Sequence, residues 1–440
     1  MVNTLNYQET LQNLHSIPRR KKENDLKRME RFMELLGNPQ NTLRCVHVAG
    51  TNGKGSVSKM IAHSLTTSGY TAGLFTSPYI IEFRERIAVN GDLIKEEEVI
   101  EYYSIVQKGI ETLLQEDFGH PSEFEVVTAM AFMYFKEKNV DICVIEVGIG
   151  GRYDATNVLF PILSVITSIS KDHVSQLGDT LREIAFHKAG IIKSAPVIAS
   201  SQKQEVREVL DSAAAEKKTD ITFIEPAMYE FLELEGSKQK ICLRMDGIPP
   251  FTVRLNLLGT YQLENAATSV KALLTLQKSG YQKLTVESIK KSLETVTWIG
   301  RMEVVHTTPF TIMDGAHNED GASRLVESIQ SYFPQQRILL LLGMLKDKDV
   351  SAVTKLLAGA AAICYLHTPD DFRALPETEL ASYIPPGKPY FLRHTVEEAY
   401  KKAVEDFTEG DLILSTGSLY TIGDMRTAVE NTWKADTKSV

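Results

Sequence analysis

Along this chain, compact apolar runs alternate with longer stretches in which apolar residues recur every three to four positions. That rhythm predicts short buried strands joined by amphipathic helices, the signature of parallel sheets covered by helices. Residues 43–49, 71–75, 142–147, 162–169 and 196–199 read as strands. Between 223 and 258 the pattern changes. Residues 229–235 alternate, Gly236-Ser237-Lys238 turns and 241–244 returns, which predicts an antiparallel hairpin. Near Gly300 the strand–helix pattern restarts, with strands at 310–313, 338–342, 362–366 and 411–415. The expected fold is α/β. A parallel-sheet domain over 1–300 carries a small antiparallel insertion, and a smaller Rossmann-like α/β domain follows over 301–440.

The sharpest chemical signal follows the first strand: Gly50-Thr51-Asn52-Gly53-Lys54-Gly55-Ser56. After it, Val57, Met60, Ile61 and Leu65 keep helical spacing, and Gly69 closes the helix. Strand, glycine loop, lysine, hydroxyl and helix together can cradle phosphates. Glycines admit backbone N–H groups to the oxyanions, the helix N-terminus adds positive potential, and Lys54 supplies mobile charge. This makes the first domain a P-loop domain of ATPase type. The strict P-loop pattern is not met, since Val48 stands at its first glycine and Gly55 separates Lys54 from Ser56. A glycine turn without chemistry is the alternative.

In parallel sheets ligands sit beyond the carboxyl ends of strands, and polar residues cluster there. The 142–147 run reaches Glu146, then the loop Gly148-Ile149-Gly150-Gly151-Arg152-Tyr153-Asp154-Ala155-Thr156-Asn157. A carboxylate closing a buried strand suits Mg²⁺, which takes one or two carboxylates plus phosphates and water; a solvent-facing glutamate is the bland alternative. The 162–169 run ends in Ser170-Lys171-Asp172-His173, where His173 is a ligand or an ordinary loop residue. Next, Thr180 and Glu183 form a capping box, and Gly190 stands where a C′ glycine would end the helix. Leu181, Ile184, Ala185 and Lys188 share its apolar stripe. Lys188 either snorkels outward or is held inside, where desolvation frees a neutral amine able to capture CO₂ as a carbamate.

Bulk properties narrow the class. With 440 residues and a net charge of −9, the chain is long enough for two or three domains and unlike a nucleic-acid coat. Its four cysteines are widely spaced without a C-x-x-C, so they read as reduced core residues. The N-terminus carries no apolar signal segment, and the longest apolar run, 338–342, is far too short to span a bilayer. A cytoplasmic enzyme without nucleic-acid or membrane partners is the expectation.

Taken together these motifs resemble the folylpolyglutamate synthase/dihydrofolate synthase family, relatives of the Mur ligases. The likeness covers nearly the whole chain. It includes the phosphate loop with its extra Gly55, Thr76-Ser77-Pro78, the block from Glu146 to Asn157, Asp172-His173, Leu177-Gly178 and Lys188-Ala189-Gly190-Ile191. It continues through Gln262-x-x-Asn265-Ala266, Gly300-Arg301, Asp314-Gly315-Ala316-His317-Asn318, Gly343-Met344-x-x-Asp347-Lys348-Asp349 and Thr416-Gly417-Ser418. The Glu146–Asn157 block is the most specific. The resemblance implies that ATP phosphorylates a folate carboxylate and that glutamate's amine attacks the acyl phosphate. Thr51, Asn52, Gly53, Lys54, Gly55, Ser56, Asn265, Arg301, Asp314 and His317 then hold the nucleotide. Ser77, Glu146 and His173 serve a Mg²⁺ site, and carbamylated Lys188 serves a second ion. Lys54, Lys188 and His173 form the catalytic set. Ser122, Phe124, Tyr153, Asp154 and Ala155 hold the pterin. The implied partners are folates, L-glutamate and ATP, and the implied state is a monomer.

Two departures from the family stand out: Tyr79 where many members carry histidine, and His187 where glutamate is common. Two rival readings also apply. A Mur-type ligase of cell-wall precursors would place Ser or Thr directly after the lysine, where Gly55 stands. A non-catalytic nucleotide switch would carry a guanine-reading Asn-Lys-x-Asp, and none occurs. The basic run Arg19-Arg20-Lys21-Lys22 suits substrates already bearing glutamate carboxylates, which favours folylpolyglutamate synthesis over dihydropteroate as the main activity. A solvated charge run is the alternative.

Overall fold

The computed structural model describes residues 6–18 and 25–434, so the basic run at 19–22 lies outside the described residues. The chain gathers into two compact units. The first takes residues up to Tyr229 with Leu243–Phe251 and Glu264–Val296; the second takes Glu230–Cys242, Thr252–Leu263 and Thr297 onward.

The first unit is built on a sheet of β1 (Cys45–Ala49), β2 (Ala72–Phe75), β3 (Ile87–Val89), β4 (Asp92–Leu93), β5 (Ile142–Glu146), β6 (Pro161–Ile166), β7 (Val197–Ala199) and β8 (Ile221–Phe223). Their order is β4-β3-β2-β5-β1-β6-β7-β8. β2, β5, β1, β6, β7 and β8 run parallel, while β3 and β4 form an antiparallel edge. β1 lies between β5 and β6 and is buried at every position, which is why its sequence is nearly continuous in apolar residues instead of alternating. Helices α1 (Tyr7–Ser16), α2 (Lys27–Leu35), α3 (Lys54–Thr67), α4 (Glu96–Gln115) and α5 (Glu123–Glu137) come from the first third of the chain. Met29, Phe32, Val106, Phe132 and Phe135 from these helices share one core with Phe75 and Ile145 of the sheet. Each such large side chain contributes about 1.5–3 kcal/mol by leaving water.

Helices α6 (Val174–Leu177), α7 (Leu181–Lys188), α8 (Gln204–Glu216), α9 (Tyr261–Lys278) and α10 (Val286–Leu293) follow. In α7 the Thr180–Glu183 capping box forms, and Leu181, Ile184, Ala185 and Lys188 are the buried residues, as the spacing predicts. Gly190 differs from expectation. The helix passes into a 3₁₀ turn, Ala189–Ile191, and Gly190 is not left-handed. Glycine is required there for another reason: an added Cβ would lie 2.3 Å from Arg152 Cα.

The second unit holds the three-stranded sheet of β9 (Tyr229–Glu235), β10 (Lys238–Leu243) and β11 (Phe251–Leu255). β9 and β10 form the predicted hairpin, turning at Gly236 in the left-handed region. Residues 230–242 and 252–263 gather with this unit although they precede residue 300. Its larger sheet comprises β12 (Glu303–Thr307), β13 (Phe310–Met313), β14 (Ile338–Leu342), β15 (Ile363–Leu366), β16 (Tyr390–Leu392) and β17 (Leu412–Thr416), ordered β12-β13-β17-β14-β15-β16. All but β12 run parallel. Helices α11 (Glu319–Tyr332), α12 (Val350–Ala360), α13 (Glu377–Leu380), α14 (Val396–Glu405) and α15 (Thr421–Lys434) complete it. Among the described residues no helix is long and apolar enough to cross a membrane.

Candidate active site

Because β1, β2, β5 and β6 are parallel, the segments that leave them emerge along one edge of the sheet. β1 opens into the glycine loop, β2 into Thr76 and Ser77, β5 ends on Glu146, and β6 runs into 167–173. The glycine loop is pinned to that last segment. Thr51 N donates to Ser168 O at 2.8 Å, Thr51 Oγ1 donates to Ser170 O at 3.0 Å, and Ser170 N donates back to Thr51 Oγ1 at 3.1 Å. Gly50 must be glycine, since a Cβ would meet Thr167 Oγ1 at 1.8 Å. Gly53, left-handed at φ +87, caps α3, and a Cβ there would strike Asn265 Oδ1 at 2.5 Å. Lys54 opens the helix, its Nζ donating to Thr51 O at 3.1 Å. Helix N-terminus, backbone amides and ammonium thus converge, as anion binding requires.

Glu146 is buried, and its Oε2 accepts from Ser77 N at 3.3 Å. The structure therefore brings Ser77 and Glu146 together. His173 sits in a left-handed conformation and is half-buried; its backbone N donates to Asp172 Oδ1 at 2.8 Å. Among the described residues no three His, Cys, Asp or Glu side chains gather as a ready metal cage. A carboxylate beside a serine is nevertheless a hard oxygen set that fits Mg²⁺, which relies on phosphates and water for its remaining ligands. Lys188 is held inside: it is 4% exposed, and its Nζ donates to Gly50 O at 2.6 Å. Burial first, then the Lys54 ammonium, pulls its pKa well below the usual lysine value, with Asp172 and Asp154 acting in the opposite sense.

The 148–157 loop is organised by Asp154. Its carboxylate accepts from Ile149 N at 3.0 Å, from Thr156 N at 3.0 Å and from Thr156 Oγ1 at 2.6 Å, and burial raises its pKa. That carboxylate, read from sequence as a partner for pterin N–H groups, is turned into its own loop. Ser122 is likewise engaged: its hydroxyl donates to Glu125 Oε2 at 2.8 Å and accepts from Glu125 N at 3.3 Å, capping α5. The Ser-x-x-Glu spacing was the signal for this cap. Phe124 packs at a tilt against Phe75, with ring centroids 5.9 Å apart, and lies close to Gly148, where a Cβ would meet its ring at 2.7 Å. Tyr153 meets the edge of His187 at 5.9 Å, and Ala155 opens a buried 3₁₀ turn, Ala155–Val158. His187, the departure beside Lys188, has its pKa lowered by burial, then by Arg152 and Lys188, with Glu183 acting in the opposite sense. The other departure, Tyr79, places its hydroxyl 3.5 Å from His15 Nε2.

In the second unit, Asp314 follows β13. Its Oδ1 accepts from Ala316 N at 2.8 Å, and its Oδ2 accepts from Tyr261 Oη at 2.8 Å and Met302 N at 2.9 Å. Arg301 Nη1 donates to Gly300 O at 3.0 Å, and His317 Nδ1 lies 2.8 Å from Gly315 O. Sequence reasoning missed Tyr261, which adjoins the Gln262-x-x-Asn265 motif but carries no motif of its own.

The Mur ligase middle domain matches residues 48–273, and the glutamate ligase domain of Mur ligases matches 300–419. A dihydrofolate synthase/folylpolyglutamate synthase of Bacillus subtilis is 37% identical over 413 residues, covering 91% of this chain and 94% of that protein. The folylpolyglutamate synthase of Lacticaseibacillus casei is 35% identical over 427 residues, covering 96% and 98%. A solved FPGS–AMPPCP–folate complex superposes with a TM-score of 0.83 at 33% identity, covering 97% of this chain and 99% of that one. The chain belongs to the folylpolyglutamate synthase/dihydrofolate synthase family, built from Mur ligase domains.

Proposed function

We propose that this chain is an ATP-dependent ligase that joins L-glutamate to the terminal carboxylate of a reduced folate through an acyl phosphate. The family assignment supports the class of reaction. The observation that carries the residue-level reading is the buried Lys188 amine 2.6 Å from the phosphate-loop carbonyl of Gly50. In this reading Lys54 and the amides of 51–56 hold the phosphates and stabilise charge on the phosphoryl group in flight. Asn265, Arg301, Asp314 and His317 hold the rest of the nucleotide. Ser77, Glu146 and His173 would hold Mg²⁺, and Lys188, as a carbamate, would serve a second ion; bound Mg²⁺ neutralises charge on the phosphates. Phe124, Tyr153 and Ala155 line the pterin side, with Asp154 and Ser122 shaping the backbone around it. The domains divide functionally near residue 300, and the protein works as a cytoplasmic monomer.

Dihydropteroate is a second proposed substrate. The Bacillus subtilis relative carries both activities in its name, whereas the Lacticaseibacillus casei relative carries only one. The test is incubation with ATP, Mg²⁺, glutamate and either tetrahydrofolate or dihydropteroate, with products read by mass. A glutamyl adduct on tetrahydrofolate is expected. ATP consumption without a glutamyl product on either pterin would overturn the reading.

A further inference from the structure

A buried polar chain runs from the middle of β1 to the 148–157 loop. His47, 0% exposed, stands in register with Ile145 of β5 and Ser164 of β6. Its Nε2 lies 2.8 Å from Thr156 Oγ1, and that hydroxyl donates to Asp154 Oδ1 at 2.6 Å. A carboxylate only accepts, so the Thr156 proton is committed to Asp154 and His47 must donate from Nε2. Nδ1 is then bare, and it has no hydrogen-bond partner among the described residues. Burial pushes the His47 pKa down to about 3, so the ring stays neutral in this role.

The placement of His47 gives the chain its significance. Two residues beyond it β1 ends, and the phosphate loop begins at Gly50. One strand therefore carries the phosphate loop on its end and, through His47, grips the loop that follows Glu146. Asp154 closes that loop on itself by spanning Ile149 N and Thr156 N. His47 ties the closed loop to the strand. A hydroxyl bonded on both sides inside a low-dielectric core is costly to lose and has a single rotamer.

We infer that His47 and Thr156 are positioning residues that hold the 148–157 loop in register with the phosphate loop, and so hold the folate in place for phosphoryl transfer. The inference rests on the ligase reading above and deepens it. Misplacement of about 1 Å at a reacting pair costs about 10²-fold in rate. Loss of the Thr156 hydroxyl is therefore expected to act on the folate side and on turnover, leaving nucleotide binding intact.

The test is steady-state kinetics of Thr156→Val and Thr156→Ser with tetrahydrofolate, glutamate and ATP, alongside wild type. Thr156→Val should lower kcat/KM for folate by about 10- to 100-fold with the KM for ATP within about twofold, and Thr156→Ser should recover most of the loss. If Thr156→Val does not fold, His47→Leu against His47→Gln reads the same bond, since the glutamine amide replaces the Nε2 donor. Equal loss for ATP and folate, or a serine or glutamine variant no better than its apolar counterpart, would overturn the inference. An inactive wild type would instead sink the ligase reading.

Discussion

The side-chain nitrogen of Lys188 and the carbonyl oxygen of Gly50 lie 2.6 Å apart, joining the last turn of α7 to the first residue of the phosphate loop. Glycine at 50 admits Thr167, whose Oγ1 would lie 1.8 Å from an added Cβ. The lysine is buried beside Lys54, which favours the neutral amine, the form that captures CO₂. Lys188→Ala should lose about 10²-fold or more in ligation rate, partly restored by added formate or acetate. Labelling the active, metal-loaded enzyme with ¹³C-bicarbonate should give a carbamate resonance absent from Lys188→Ala. A bare ammonium in that state would refute the carbamate.

Lys54 opens α3 with its Nζ on Thr51 O, so truncation removes charge but no core contact. Lys54→Ala should fold normally and lose about 10²-fold or more in turnover at saturating ATP. Wild-type turnover in that variant would dismiss Lys54 from phosphoryl transfer.

Glu146 and Ser77 are adjacent, whereas His173 is half-exposed on a left-handed turn. Glu146→Gln should therefore shift the Mg²⁺ concentration for half-maximal rate upward by more than His173→Ala does, with little change in folate KM. A Mg²⁺ titration of each variant decides it. Identical metal dependence in Glu146→Gln and wild type would leave Glu146 a structural carboxylate.

Gly190 touches backbone, which cannot yield: an added Cβ would lie 2.3 Å from Arg152 Cα and 2.6 Å from Arg152 N. Gly190→Ala should cost about 1–3 kcal/mol by overpacking and displace the 148–157 loop, raising folate KM. Urea unfolding with folate kinetics checks both. An unchanged midpoint and KM would mean that the loop is more yielding than its packing implies.

What the sequence made legible follows from where its signals are local. Strand runs such as 310–313, apolar except for Thr311, and 338–342, wholly apolar, read as strands because both sheet faces are largely covered, and the structure has them at those residues. The stripe holding Lys188 was readable because helical phase is periodic. Weaker edges, such as β3, β4 and β16, went unread because short edge strands lack a long apolar run. Ser122 and Asp154 also have a local role that their motifs did not announce. A hydroxyl and a carboxylate near a ligand loop look like ligand contacts, and both also satisfy backbone groups of their own segments. Cys45 and Cys143, 98 residues apart, lie with sulfurs at 3.3 Å through strand register that spacing alone does not reveal. His47 was invisible as a functional candidate, because a histidine inside a buried strand carries no motif and its partner Thr156 lies 109 residues away.

Two fully buried histidines give the protein a calculable acid sensitivity. Burial lowers His47 to about 3 and His367 to about 4, against an ordinary 6.5. In the unfolded chain both rings take up a proton as pH falls below about 6.5, whereas in the native protein neither does until pH 3 to 4. The unfolded state therefore binds more protons across that window, and stability falls as pH falls. The contribution is fully present above about 6.5, declines by up to about 1.4 kcal/mol per pH unit for each ring, and stops changing once the native ring titrates. From pH 7 to pH 5 each ring should cost roughly 2 kcal/mol. His367 faces Gly343, where a Cβ would lie 2.4 Å from its Cε1, so the ring fills a space made for it. Glutamine keeps polar atoms there without titrating near neutrality. Urea midpoints of wild type and His367→Gln at pH 7 and pH 5 should show a shallower pH dependence in the variant. Parallel slopes would mean that the native His367 accepts its proton as readily as the unfolded chain does, and the burial argument would fail.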